Sequence, residues 1–276
     1  MNPNLNKRIG VLGAGGMLGH VVARRLRQKG WEVVEVSDRW TPDRFDQCMG
    51  NLKNLELYGV VNAIGVHLSE AEATPRNRLK TMQWINGLFP QWLAKGLDPD
   101  VRVIHASSDA VFGASECGCL WDQPHSADTA YGASKVQGET GMRGENRWVI
   151  RCSLLGPDRE SCETTHLLSW VLGQQRAAWG YTNHMWNGIT TLAWADLAHV
   201  LLSEEQAVSG GLVQPGFLPP ITKYTLLKTI DRVYGLGLQV RPTRAASAVN
   251  RSLIPTQFCD PIEEQLQRLK TWYEPS

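Results

Sequence analysis

Apolar positions along the first half of the chain fall into two alternating periods. The run Ile9-Gly10-Val11-Leu12 reads as a short buried strand. Behind it, Val22 and Leu26 recur at helical spacing within residues 21–29, and Gly30 closes that helix. Residues 31–36 (WEVVEV) are rich in β-branched side chains and predict a second strand. Residues 60–63, 101–106 and 148–151 predict three more. Between them lie helical patterns at 76–95, interrupted at Pro90, and at 130–141. Strands alternating with helices predict an α/β fold, a doubly wound parallel sheet covered on both faces.

Beyond residue 151 the rhythm loosens. Pro157, Pro215, Pro219, Pro220, Pro242 and Pro255 punctuate shorter elements, and helices are expected at 192–202, 225–234 and 261–273. This change divides the chain into a domain expected over 1–155, to which 190–215 returns, and a smaller mixed C-terminal lobe over 156–189 and 216–276; the motifs that follow lead us to expect dinucleotide binding in the first and substrate binding in the second. There is no internal repeat and no low-complexity tract.

Charge narrows the function classes. The formal net charge of +1 over 276 residues leaves no electrostatic footprint for nucleic acid or an anionic membrane. The polar start, residues 1–6, lacks the apolar core of a signal peptide, and no apolar run approaches the ~20 residues of a membrane helix. A cytoplasmic protein is expected. Six cysteines, at 48, 117, 119, 152, 162 and 259, include one close pair, Cys117 and Cys119, with no second pair to complete a zinc site. Free thiols in a reducing compartment follow. His20, His67, His105, His125, His166, His184 and His199 show no metal-ligand spacing, so no metal is expected; His184 alone invites a test of function.

The chemistry starts at Gly13-Ala14-Gly15-Gly16-Met17-Leu18-Gly19, which links the first strand to the first helix. Glycine lets a backbone approach a ligand closely, and a helix N-terminus offers unpaired N–H groups to a phosphate. Gly13, Gly16 and Gly19 give GxxGxxG, a spacing suited to a dinucleotide pyrophosphate. After the second strand, Ser37-Asp38-Arg39 offers two readings. Arg39 accommodates a ribose 2′-phosphate and points to NADP(H), whereas Asp38 on the ribose hydroxyl points to NAD(H).

Tyr131-Gly132-Ala133-Ser134-Lys135 places a phenol and an ammonium one helical turn apart. An ammonium beside a phenol is expected to lower its pKa and make it an acid–base group near neutral pH. Ser107-Ser108-Asp109 ends a strand about twenty residues earlier, so a Ser108 hydroxyl is placed to bond a carbonyl oxygen. Tyr224 and Lys228 repeat the spacing, but no strand-end hydroxyl precedes them, and they read as a helix start without catalytic meaning.

Together these motifs resemble the extended short-chain dehydrogenase/reductases, and within them the dTDP-4-dehydrorhamnose reductase-like branch. Residues 13–19 look like its GxxGxxG, and Val60-Val61-Asn62-Ala63 like its VVNAAA strand end. Trp84-Ile85-Asn86 with Pro90, Leu93 and Ala94 is similar to VNxxxPxxLA, and residues 107–112 to STDYVF. Residues 131–135 with Gly138 and Glu139 resemble YGxTKxxGE, residues 151–153 RTS, and Thr191 with Asp196-Leu197-Ala198 PTxxxDLA. The resemblance implies catalytic Ser108, Tyr131 and Lys135. It implies cofactor contacts at Gly13, Gly16, Met17, Leu18, Gly19, Asp38, Arg39, Asn62, Ala63 and Lys135. Substrate contacts are expected at Ser108, Asp109, Asn187 and Thr191. The implied reaction is NAD(P)H-dependent reduction of a nucleotide-linked 4-keto-6-deoxy sugar, with Tyr131 as proton donor. An epimerase–reductase and a non-catalytic, cofactor-binding regulatory subunit are the competing readings. A homodimer is a common assembly for such soluble enzymes. Two departures bear on the pocket: Ala110 replaces the pattern's Tyr, and Thr190 its Pro.

Overall fold

The computed structural model describes residues 8–67, 76–159, 166–203 and 210–274. The polar start and Cys162 lie outside them. The first strand, β1 (Arg8–Leu12), runs through the glycine loop into α1 (Gly19–Gln28). Val21, Val22 and Leu26 of α1 are fully buried against the sheet, as their spacing requires. There follow β2 (Glu32–Val36), α2 (Phe45–Lys53) and β3 (Gly59–Asn62). The next helical stretch is α3 (Arg76–Gln83), a π turn over Trp84–Leu88, and α4 (Phe89–Gly96). Then come β4 (Arg102–Ser107), α5 (Ala130–Gly141) and β5 (Arg147–Arg151).

Short elements follow: β6 (Leu154–Leu155), α6 (Leu167–Leu172), β7 (Ala177–Tyr181), β8 (His184–Trp186) and β9 (Ile189–Thr190). Helix α7 (Thr191–Ser203) leads to β10 (Gly211–Val213), β11 (Pro215–Gly216) and β12 (Ile221–Thr222). The chain closes with α8 (Lys223–Tyr234), β13 (Gln239–Thr243), β14 (Val249–Asn250), β15 (Gln257–Phe258) and α9 (Ile262–Tyr273).

The main sheet has the order β10-β5-β4-β3-β1-β2 and every pairing is parallel. This is a Rossmann-like sheet with helices on both faces. Strands β3, β4 and β5 are buried along their whole length, polar residues included, as strands covered on both faces are. The strand order reverses at β1 and β3, so a crevice opens at their carboxyl ends. The C-terminal elements build small sheets instead, β7 with β13 and β12-β8-β14 among them. Strand β10 returns to the main sheet beside β5. Helix α9 reaches back to α1, where the Arg24 guanidinium lies 4.1 Å from the centre of the Trp272 ring. No helix among the described residues is long and apolar enough to cross a membrane.

Pro90 does not break the helix as its position suggested. The turn ahead of it widens to π geometry over Trp84–Leu88, and Pro90 sits near the start of α4, where a missing N–H costs little.

A buried ionic knot fastens α5 to β5. Arg151 donates from Nε to Glu139 Oε1 at 2.9 Å and from Nη2 to Oε2 at 2.6 Å. His125 Nε2 lies 2.9 Å from the same Oε2. These partners hold the Glu139 carboxyl at about 2, against the cost of burial. Because the folded-state value is depressed, this stabilisation is complete above the ordinary value of 4.5 and drains away as pH falls toward about 2. Glu139→Gln leaves Arg151 uncompensated in the interior, and a loss of about 3–5 kcal/mol is expected at pH 7. Urea unfolding from pH 7 down to pH 2 should show that loss and a flatter acid limb in the variant.

Candidate active site

Gly13 adopts φ +78°, a conformation open to glycine, and turns the chain so that Gly16 N–H donates to its carbonyl at 3.0 Å. A Cβ at Gly19 would stand 2.0 Å from that carbonyl oxygen, so the first turn of α1 lies directly on the loop. A Cβ at Gly13 would stand 3.0 Å from the Ile64 nitrogen, which brings the loop after β3 against the loop after β1. Helix α1 has no side-chain cap and no acidic residue in its first turn; the His20 N–H donates to the Gly16 carbonyl at 3.2 Å, and the remaining N–H groups of that turn are left to an anion. Met17 is half-buried, and Leu18 packs into the main core with its side chain turned from the loop surface. His20 locks the loop from behind. Its Nδ1–H donates to the Gly16 carbonyl at 2.8 Å, and its Nε2 accepts from the Tyr273 hydroxyl at 2.7 Å.

Just past β2, Asp38 accepts from Asn51 Nδ2 at 3.2 Å, while the Arg39 side chain stands exposed. Ala63 borders the crevice, half-buried. Asn62, expected as a cofactor contact, is fully buried: its carboxamide oxygen accepts from Ile64 N–H at 3.2 Å, and its Nδ2 donates to His105 Nδ1 at 3.1 Å. Its side chain shapes the β3 loop. His105 is neutral: burial first, then the nearby Lys135 charge, press it down to about 3.

Ser108 follows β4 and caps the short turn Asp109–Val111, accepting from Ala110 N–H and donating to Asp109 Oδ1, both at 3.1 Å. Thr129 caps α5 by accepting from Gly132 N–H at 3.0 Å, which sets the helix start one residue before Tyr131. A Cβ at Gly132 would stand 2.1 Å from the Ala110 carbonyl oxygen. This contact brings the first turn of α5, with Tyr131, onto the Ser108 loop, and the Ser108 hydroxyl works to lower the Tyr131 phenol. Burial pushes Tyr131 up to about 12, so the phenol is protonated at neutral pH, the reverse of the lowering its spacing from Lys135 suggested. Lys135 Nζ lies 6.0 Å from the Tyr131 ring centre and donates to the Ala106 carbonyl at 3.1 Å; burial draws it down to about 8.

Asn86, from the π turn, ties these parts together. Its Oδ1 accepts from Val66 N–H at 2.9 Å, and its Nδ2 donates to the Val66 carbonyl at 2.7 Å and to Ser134 Oγ at 3.1 Å. The same loop sets the His67 ring edge-on to Tyr131, with centroids 4.7 Å apart.

On the substrate side the outcome is mixed. Asp109 stays partly open beside Ser108, and burial raises its carboxyl while the charge of Lys223 opposes the rise. Asn187, expected as a substrate contact, donates from Nδ2 to the carbonyls of Phe217 and Leu253 at 3.2 and 2.7 Å, and its Oδ1 accepts from Leu253 N–H at 3.1 Å. That carboxamide ties the residue after β8 to the segments around Phe217 and Leu253. Thr191, the other expected substrate contact, is fully buried beside Gly156. His184 stacks on Tyr181 at 4.4 Å and faces the Ser247 carbonyl. Sequence reading passed over Lys223, which opens α8 one residue before the discounted Tyr224. Its only signal was a position at a strand–helix junction.

Comparison with known proteins places this geometry. The model of the RmlD substrate binding domain family matches residues 7–176, more than half of the chain. A dTDP-4-dehydrorhamnose reductase of Mycolicibacterium smegmatis (strain ATCC 700084 / mc(2)155) is 30% identical over 147 residues, covering 50% of this chain and 40% of that protein. The matched region thus spans less than half the length of that curated relative. A Bacillus anthracis str. Ames dTDP-4-dehydrorhamnose reductase, solved in complex with NADP, superposes with a TM-score of 0.79 at 13% identity, covering 97% of this chain and 99% of that one. MoeE5 in complex with UDP-glucose and NAD superposes with a TM-score of 0.70 at 17% identity, covering 96% and 98%.

The Gly132 contact yields a stability test. Gly132→Ala meets backbone and should cost about 1–3 kcal/mol in urea unfolding. Gly15→Ala meets nothing within 4 Å and should stay within about 0.5 kcal/mol of the wild type.

Proposed function

We infer that this chain, which belongs to the RmlD substrate binding domain family, is a nicotinamide-dependent reductase of a nucleotide-linked keto-sugar, of the 4-keto-6-deoxy class. The observation that carries this reading is the close approach of the first turn of α5, which bears Tyr131, to the Ser108 loop at the carboxyl edge of the sheet. The cradle fits a dinucleotide: Gly13 and Gly19 leave no room for side chains, and the α1 N-terminus is uncapped. A bound nicotinamide supplies the hydride. Ser108 turns its hydroxyl toward the sugar carbonyl oxygen and orients it. Tyr131 holds its proton at neutral pH and donates it to that oxygen as negative charge develops there. Lys135 uses one N–H on the Ala106 carbonyl and keeps two for the ribose hydroxyls beside Gly65, whose Cβ position lies 3.4 Å from Nζ. Its ammonium, in a site of low dielectric, also stabilises the phenolate that proton donation leaves. Arg39 is free to meet a 2′-phosphate, while Asp38 already accepts from Asn51, which supports NADPH over NADH.

Three outcomes test the reading. Tyr131→Phe should bind NADPH as the wild type does by fluorescence titration, yet lose turnover of dTDP-4-keto-6-deoxyglucose by about 10²–10⁴-fold; undiminished turnover would refute the proton-donor role. Turnover should fall as pH rises through about 8, because the Lys135 ammonium is lost there, and stay level below it. Arg39→Ala should raise KM for NADPH at least tenfold and leave KM for NADH unchanged.

A further inference from the structure

Lys223 is the least explained charge in the molecule. It sits where β12 ends and α8 begins, and β12 is held antiparallel to β8 with Thr222 opposite Met185 and Ile221 opposite Trp186. The Trp186 indole N–H donates to Ser153 Oγ at 2.8 Å, just beyond β5. The Lys223 ammonium stands 5.2 Å from the Trp186 ring centre. These contacts carry a cation from the C-terminal lobe to the carboxyl edge of the main sheet, opposite Asp109. Among the described residues, Lys223 closes no ion pair within 4.0 Å and makes no hydrogen bond. The two charges nonetheless act on one another across the gap. Both side chains are half-buried and keep some exposed surface.

The other nearby cation is committed elsewhere. Arg251 donates from Nη2 to Asp128 at 2.8 Å and from Nε to the Phe112 carbonyl at 3.0 Å. Asp109 has one oxygen engaged by Ser108 and another still able to accept. A desolvated ammonium with three free N–H groups is costly unless a ligand completes it. An acceptor and a donor standing apart match a pair of neighbouring hydroxyls, each of which both donates and accepts. A lone anionic group would instead be repelled by Asp109.

We propose that Asp109 and Lys223, delivered from opposite lobes, clamp two adjacent hydroxyls of the reacting sugar ring and so select it by its hydroxyl pattern. Asp109 accepts from one hydroxyl and Lys223 donates to its neighbour. The clamp fixes the ring against Ser108 and Tyr131, so that the carbonyl between them presents one face. The inference rests on the nucleotide-sugar reading above. Ala110 stands where the family pattern carries Tyr, and Lys223 gives this chain a charged means of gripping the ring on that side.

The test is calorimetric, with the full chain saturated with NADP⁺. The titrants are dTDP, dTDP-glucose, and its 2-deoxy and 3-deoxy forms, with the uridine series run in parallel. The wild type should bind the nucleotide glucose more tightly than the nucleoside diphosphate, and removal of one ring hydroxyl should weaken binding about tenfold. Lys223→Met should lose that tenfold at once and show no further loss with one of the two deoxy sugars, because those two changes delete the same contact, while the other deoxy sugar, which lacks the hydroxyl held by Asp109, still binds it about tenfold more weakly. Its affinity for dTDP alone and its thermal midpoint should match the wild type, and Lys223→Arg should recover most of the discrimination. The clamp is overturned if Lys223→Met keeps the wild-type sensitivity to removal of both hydroxyls, or weakens dTDP as much as dTDP-glucose. If the wild type binds no nucleotide sugar in either series, the nucleotide-sugar reading falls and takes the clamp with it.

Discussion

The site depends on one carboxamide. Asn86 bonds both backbone groups of Val66 and the hydroxyl of Ser134, so a single side chain joins the loop after β3 to the helix that bears Tyr131 and Lys135. It reaches that place because the π turn adds a residue to the helical register and rotates Asn86 inward. Pro90, four residues on, has no N–H to return the register to α geometry. A Cβ at Gly138 would stand 2.3 Å from the Asn86 carbonyl oxygen, so α5 packs flush against this turn. Loop, turn and helix therefore move as one body.

Dehydration then sets the chemistry. Tyr131 is raised, and Lys135, Lys223 and His105 are lowered, each with burial as the first cause. The phenol stays neutral and able to give a proton. The two lysines sit near the middle of the accessible pH range, and the imidazole is kept uncharged beside Lys135. Charge is dear in such surroundings, which is why Glu139 is met by both Arg151 and His125.

The main sheet was legible because its strands are buried on both faces and its loops carry glycine. Residues 9–12, 60–63, 101–106 and 148–151 foretold β1, β3, β4 and β5 to within a residue or two. Helix α2 went unread, since Cys48, Met49 and Leu52 give only a weak apolar stripe. The C-terminal strands were unreadable for a plainer reason: β6, β9, β11, β12, β14 and β15 have two residues each, too few to show a period. Within the site, residue types and spacing identified Ser108, Tyr131 and Lys135 as neighbours, but spacing cannot tell an open carboxamide from a committed one. The side chains of Asn62 and Asn187 join neighbouring segments, which their place in the sequence does not announce. Lys223 escaped notice because its neighbours in the site come from β4 and β8, far away along the chain.

Strand β10 has one more consequence. The sheet that begins at Arg8 is completed by Gly211–Val213, so some two hundred residues must leave the ribosome before β5 is covered by its last strand. Until then β5 exposes a row of unpaired backbone groups, and the nascent chain carries an adhesive border. The nucleotide half of this protein is therefore no free-standing module: cutting the chain after β5 would strip the sheet of its outer strand.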